Sequence, residues 1–185
     1  MKKTSLAFID TETTGLDCQK NEIIELAVIL TRLNLNNSQW ELETTEEKDW
    51  KIKPSRLETA DPRALKINGY NEAEWLFAPD LKSVMEDFVR QISGYVIVAH
   101  NLIFDWGFLS EAFRLAEVKD NSSHIKLDTL SIAYTKLFNQ NINSLSLKAL
   151  AEYYEIKNEK AHTALADARV TKSIFCRLMN LNEIK

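Results

Sequence analysis

Short apolar runs that end on polar residues dominate the first third of the chain. Residues 6–9 (Leu, Ala, Phe, Ile) form one such run with Asp10 at its end, the pattern of a buried strand feeding a polar loop. Ile23, Ile24 and residues 26–30, with Leu33 beyond, make a second β-rich run interrupted by Glu25. Period-two alternation around Trp40, and again around Trp50 and Ile52, predicts a third strand with one wet face. The acidic stretch between them, residues 44–49, reads as a turn or excursion, and residues 54–69 as a loop entering a short helix. Helical spacing takes over at Leu81, Val84, Met85, Phe88, Val89 and Ile92, with Asp80 as cap and Gly94 as stop. Residues 95–99 predict a fully buried fourth strand. A helix with Phe104, Phe108, Leu109, Ala112, Phe113 and Leu115 inward follows, then a short strand around 125–127. Asp128 or Thr129 opens another helix, Ser144 or Ser146 a further one, and residues 163–178 form the last. Three consecutive strands, then strand and helix in alternation, predict an α/β fold with a mixed sheet, antiparallel at one edge and parallel elsewhere.

Composition narrows the class without naming a function. A chain of 185 residues fits one domain over 1–185 and needs neither disulfide nor structural metal to build a core. The two cysteines, Cys18 and Cys176, lie far apart and form no CxxC. The apolar runs are far shorter than the roughly 20 residues a membrane crossing needs, and the first is too short for a signal peptide. A cytoplasmic protein with no membrane association is the expectation. The formal net charge of −4 argues against a basic nucleic-acid-binding surface. It leaves room for a phosphate substrate held through divalent metal, where carboxylates are what is required.

Three clusters carry chemistry. Asp10, Thr11, Glu12, Thr13, Thr14 and Gly15 follow the first strand, and two acids at i and i+2 on a strand share a face. Paired carboxylates delivered by a buried strand are costly without a counter-charge. A polar strand end is the plainer account of the same residues. His100, Asn101 and Asp105 follow the fourth strand, where the carboxyl ends of parallel strands converge on a crevice. Helix capping suffices for Asp105 alone, and His100 and Asn101 suit hydrogen-bonded loop positions. His162 and Asp167 flank Thr163, a candidate N-cap. Five residues apart on one helix they would diverge by about 140°, so the pair works together only with His162 on the preceding loop. An exposed loop histidine and an acid near a helix N-terminus are the plainer roles for these two. Jointly the clusters supply four carboxylates and one imidazole, hard ligands suited to Mg²⁺ or Mn²⁺. A pair of such ions about 3.5–4 Å apart can hold both oxygens of a phosphodiester displacement while histidine accepts a proton.

On these residues, the chain resembles the DEDDh branch of the DEDD exonucleases. The resemblance runs through Phe8, Ile9, Asp10, Thr11, Glu12, Thr13, Thr14, Gly15 and Leu16, through residues 98–101 with Phe104 and Asp105, and through His162 with Asp167. Residues 143–145 and 147–154 match the region before the third motif. Within the branch it is similar to the epsilon-type proofreading subunits of bacterial DNA polymerase III and to related stand-alone exonucleases. The resemblance implies a ribonuclease H-like fold: a central mixed five-stranded sheet, three strands antiparallel and two parallel, flanked by helices. It implies 3′–5′ exonuclease activity on single-stranded nucleic acid, DNA before RNA, with release of nucleoside 5′-monophosphates. Asp10, Glu12, Asp105 and Asp167 would hold two divalent ions, Mg²⁺ or Mn²⁺, with His162 as general base. Thr11, Thr13, Gly15, Leu16, Asn68, His100 and Asn101 would bind substrate, Leu16 wedging against the terminal base. The pattern departs at Asn68–Gly69, where epsilon-like enzymes often carry His–Gly. A polymerase subunit is the implied protein partner. The rival readings are an exoribonuclease, a haloacid-dehalogenase-like phosphatase with Asp10 as nucleophile, and an inactive nucleic-acid-binding module.

Overall fold

The structure, a computed structural model, describes residues 5–36, 39–158 and 162–184. At the centre lies β1 (Ser5–Thr13), which pairs antiparallel with β2 (Ile23–Asn36), and β2 pairs antiparallel with β3 (Gln39–Lys51). On the other side of β1, β4 (Val96–Ala99) and β5 (Lys126–Asp128) add in parallel. These five strands are the predicted mixed sheet. A further short strand, β6 (Asn182–Ile184), runs parallel to residues 41–43 of β3 and gives the order β5-β4-β1-β2-β3-β6. Its sequence, Asn-Glu-Ile, carries too little apolar pattern to announce a strand.

The helices are α1 (Pro62–Ile67), α2 (Glu72–Trp75), α3 (Leu81–Gln91), α4 (Leu102–Ala116), α5 (Thr129–Leu137), α6 (Leu147–Tyr153) and α7 (Ala164–Met179). Asp80, Asp128 and Ser146 cap α3, α5 and α6 through their side chains, each accepting an N–H of the first turn. Among the described residues no helix is long and apolar enough to cross a membrane.

Alternation along the strands divides the core into two layers. Ala7, Ile9, Leu26 and Val28 face Val84, Met85 and Phe88 of α3 and Phe108 and Leu109 of α4. Leu6, Phe8, Ala27 and Ile29 face Ala164, Ala168 and Phe175 of α7. The two alanines let the start of α7 lie close to the sheet. Further along, Phe8 meets Phe175 edge to face at 5.4 Å, a pairing worth about 0.5–1.5 kcal/mol beyond its buried area.

Two local expectations are corrected. Residues 44–49 are no turn: β3 runs through them, with Thr45 as the extra residue of a bulge opposite Leu30 and Thr31. The charges that suggested a turn point alternately to opposite faces. Lys48 pairs with Asp87 of α3, and Glu47 with Arg169 of α7. Leu115 is exposed, because the inward stripe of α4 runs through positions 108, 109, 112, 113 and 116.

Candidate active site

The alternation that buries Leu6 and Phe8 continues into Asp10 and Glu12, so both carboxylates stand on the α7 face at the carboxyl end of β1. Thr11 falls on the opposite face, towards α4, and its hydroxyl donates to Oδ1 of Asp105 at 2.8 Å. Asp105 sits in the first turn of α4 and is only 3% exposed. The start of that helix is held from a distance. Asp128, at the end of β5, accepts the amides of Asn101 and Leu102 at 2.9 and 3.2 Å while capping its own helix α5. One carboxylate thus ties two helix N-termini together beneath the site. Asn101 turns the chain into α4 in the left-handed region, at φ 63°.

The third cluster arrives from the far end of the chain. His162 is exposed, lies outside α7 and also has a positive φ of 69°. Thr163 occupies the N-cap position, and Asp167 lies one turn into the helix. A ligand atom from each of Glu12, His162 and Asp167 lies within 4.8 Å of the others. The loop arrangement anticipated for His162 therefore lets it share a space with Asp167 that a wholly helical pair would not.

Electrostatics mark this space as deficient in positive charge. Burial, and then the charges of Asp105, Asp167 and Glu12, hold the Asp10 carboxyl well above the usual aspartate range. Glu12 is pushed up to about 8 by burial, Asp167, Glu25 and Asp105 in that order. Burial carries Asp105 up to about 7 even though hydrogen bonds from Thr11 act to lower it. Among the described residues no Lys or Arg makes an ion pair with Asp10, Glu12, Asp105 or Asp167. Hard oxygens, one imidazole and no sulfur form a donor set that fits Mg²⁺ or Mn²⁺, and a divalent cation is the charge this cluster lacks.

Two members of the cluster were not picked out from sequence. Glu25 stands directly across from Glu12 in the β1–β2 register and accepts the amide of Ala164 at 3.3 Å, joining β2 to the start of α7. Its position as the single acid inside an apolar strand was the available signal. Asn158, on the loop after α6, donates to Asp167 at 2.7 Å, and nothing local foretells that contact. A cleft of about 550 Å³ opens beside these residues, lined by Glu25, Asp49, Asn158, Thr163 and Arg169.

The remaining candidates divide into committed and free side chains. Thr13 donates to the carbonyl of Gly15 at 2.7 Å. Gly15 is required by contact: a Cβ there would come within 2.4 Å of Oδ1 of Asn21. Asn68 is buried, its amide donating to the carbonyl of Thr13 and accepting from the N–H of Tyr70. Nδ1 of His100 meets the Thr129 hydroxyl at 2.9 Å, and burial lowers the imidazole pKa. Leu16, by contrast, is 82% exposed at the tip of its loop.

A sheet of this order, with acids from three chain segments at its carboxyl edge, defines a class. The exonuclease family matches residues 7–175, and the chain belongs to that family. It is an enzyme of the DEDDh 3′–5′ exonuclease type, which sets aside the phosphatase reading of Asp10. Ribonuclease T of Buchnera aphidicola is 26% identical over 93% of this chain and 82% of its own. The DNA polymerase III subunit epsilon of Escherichia coli is 33% identical, over 90% of this chain and 68% of its own. Escherichia coli Exonuclease I in complex with a dT13 oligonucleotide superposes on 96% of this chain with a TM-score of 0.76 at 19% identity, a likeness of fold. This chain spans 43% of that larger protein.

Proposed function

We propose that residues 1–185 form one exonuclease domain that removes nucleotides from the 3′ end of single-stranded nucleic acid, DNA in preference to RNA. The products in this reading are nucleoside 5′-monophosphates. The observation that carries it is the meeting of Glu12, His162 and Asp167 within 4.8 Å, beside Asp10 and Asp105. Asp10, Glu12, Asp105 and Asp167 would hold two divalent ions, Mg²⁺ or Mn²⁺. Bound there, such ions supply Lewis-acid activation of water and charge stabilisation for the displacement.

The chain's own groups do the rest. His162, outside the helix and open to solvent, accepts the proton of the attacking water and passes it on. Thr11 holds Asp105 in place from below, and the exposed Leu16 offers an apolar face to the terminal base. Thr13 and Gly15 shape the loop beneath that base, together with Asn68. His100 and Asn101 border the same end of the sheet through β4 and α4. The preference for DNA draws support from the higher identity to the epsilon subunit than to the Buchnera ribonuclease T, and from the fold shared with a DNA-bound exonuclease. The similarity to epsilon subunits likewise supports a polymerase subunit as partner.

The test is hydrolysis of matched 5′-labelled single strands of DNA and RNA in Mg²⁺. Stepwise shortening from the 3′ end, faster on DNA, is expected. Asp10→Asn should abolish it, because the change removes a ligand and leaves packing intact. Cutting within a 3′-phosphate-blocked strand, or full activity of Asp10→Asn, contradicts the reading. Faster decay of the RNA strand makes the chain an exoribonuclease, the second reading, which the similarity to ribonuclease T favours.

A further inference from the structure

We propose that Asn158 is a positioning residue that fixes the Asp167 carboxylate in the orientation the metal site needs, an inference that rests on the function proposed above. Its amide donates to Oδ1 of Asp167 at 2.7 Å. The main-chain N–H of His162 donates to Oδ2 of the same carboxylate at 3.3 Å. Both oxygens of Asp167 are therefore oriented by the segment that carries His162, so the carboxylate and the imidazole are set by one arrangement.

That hold opposes a definite force. A ligand atom of Asp167 lies within 4.8 Å of one from Glu12, so the two carboxylates repel once both are ionised, and an unrestrained Asp167 side chain would rotate away from the site. An N–H aimed at one oxygen prevents the rotation and leaves the other lone pairs for a cation. Outer-sphere donors of this kind commonly orient ligating carboxylates.

The other end of the amide shows that packing is not its reason for being there. Oδ1 of Asn158 is buried and has no hydrogen-bond partner among the described residues. A buried acceptor without a donor destabilises the fold, and an apolar side chain of the same shape would avoid that cost. Leucine has that shape. Relief of that cost offsets the lost bond to the half-exposed Asp167, so Asn158→Leu should change stability little while it weakens metal binding, a split that a purely structural asparagine would not produce.

The experiment titrates wild type, Asn158→Leu and Asn158→Ala with Mn²⁺ alone by calorimetry, and records the thermal midpoint of each metal-free protein. For Asn158→Leu the expected result is a midpoint close to wild type with a Kd for Mn²⁺ weaker by about 10–100-fold. Asn158→Ala, which cannot clash, should weaken Mn²⁺ binding by a similar factor and serves if the leucine variant does not fold. Mn²⁺ binding within about twofold of wild type in a folded variant overturns the role of Asn158, since loss of an orienting partner costs far more. Absence of Mn²⁺ binding by wild type overturns the proposed function itself, and this inference with it.

Discussion

The two banks of the site are built in opposite ways. On the α4 bank, Asp105 is almost fully buried, receives the Thr11 hydroxyl, and sits on a helix whose first amides are tied to Asp128. On the α7 bank, His162 is exposed on a loop, and the half-buried Asp167 is oriented by that loop's own donors. The difference suits the roles proposed for the two groups. A carboxylate that holds a cation gains from fixed geometry and exclusion of water, whereas a group that takes up and releases protons must reach solvent. A static bank and an accessible bank face each other across the end of β1.

Changes on the accessible bank should act on rate. His162→Asn is the sharpest, because asparagine tolerates the left-handed backbone at φ 69° and keeps the loop path. Hydrolysis should fall by about 10²–10⁴-fold, as for loss of a general base, with a changed pH–rate profile. The thermal midpoint should move little, as expected for an exposed side chain. Retained rate with the wild-type pH profile would show that another group accepts the proton.

Changes on the static bank should act on stability as well. Thr11→Val keeps the buried volume but removes the hydroxyl donor to Asp105, and should cost about 1–3 kcal/mol in urea unfolding near neutral pH. It should also raise the Asp105 pKa further, moving the onset of metal binding to higher pH. An unchanged unfolding midpoint would mean that the Thr11–Asp105 contact carries no weight.

Much of this contrast was legible in the sequence because it depends on local patterns. The strand ending at Asp10, the cap at Asp128 and the placement of His162 ahead of Thr163 all follow from periodicity and capping preferences. The parts that were not legible depend on partners distant in the chain. Residues 44–49 look like a turn until Lys48 and Glu47 find Asp87 and Arg169 on helices packed against opposite faces of the sheet. Asn158 looks like an ordinary loop residue until Asp167 is beside it, and the hold of Asp128 on α4 needs β4 and β5 to pair first. The bond from the Asn68 amide that joins α1 to the end of β1 likewise spans distant parts of the chain.

Acids from three segments crowd a space that a divalent cation would neutralise, and the most direct test is the thermal midpoint against pH, with and without Mn²⁺. Glu12 shifts from a usual 4.5 to about 8 on folding, and Asp105 from 3.8 to about 7. Both hold their protons more tightly folded than unfolded. Their contribution is therefore complete below their ordinary values and is lost as pH rises through about 7 to 8. Asp61, Asp80 and Asp87, held below the usual range chiefly by hydrogen bonds, have their effect at lower pH and stay out of this window. The half-buried His100 acts in the opposite sense, but it does so with and without metal, so the difference between the two curves removes it. The metal-induced rise in midpoint should grow steadily from about pH 5 to about pH 8, as ligands no longer need to lose protons to bind. A rise that is absent, or equally large at both ends of that range, would contradict the shared metal site.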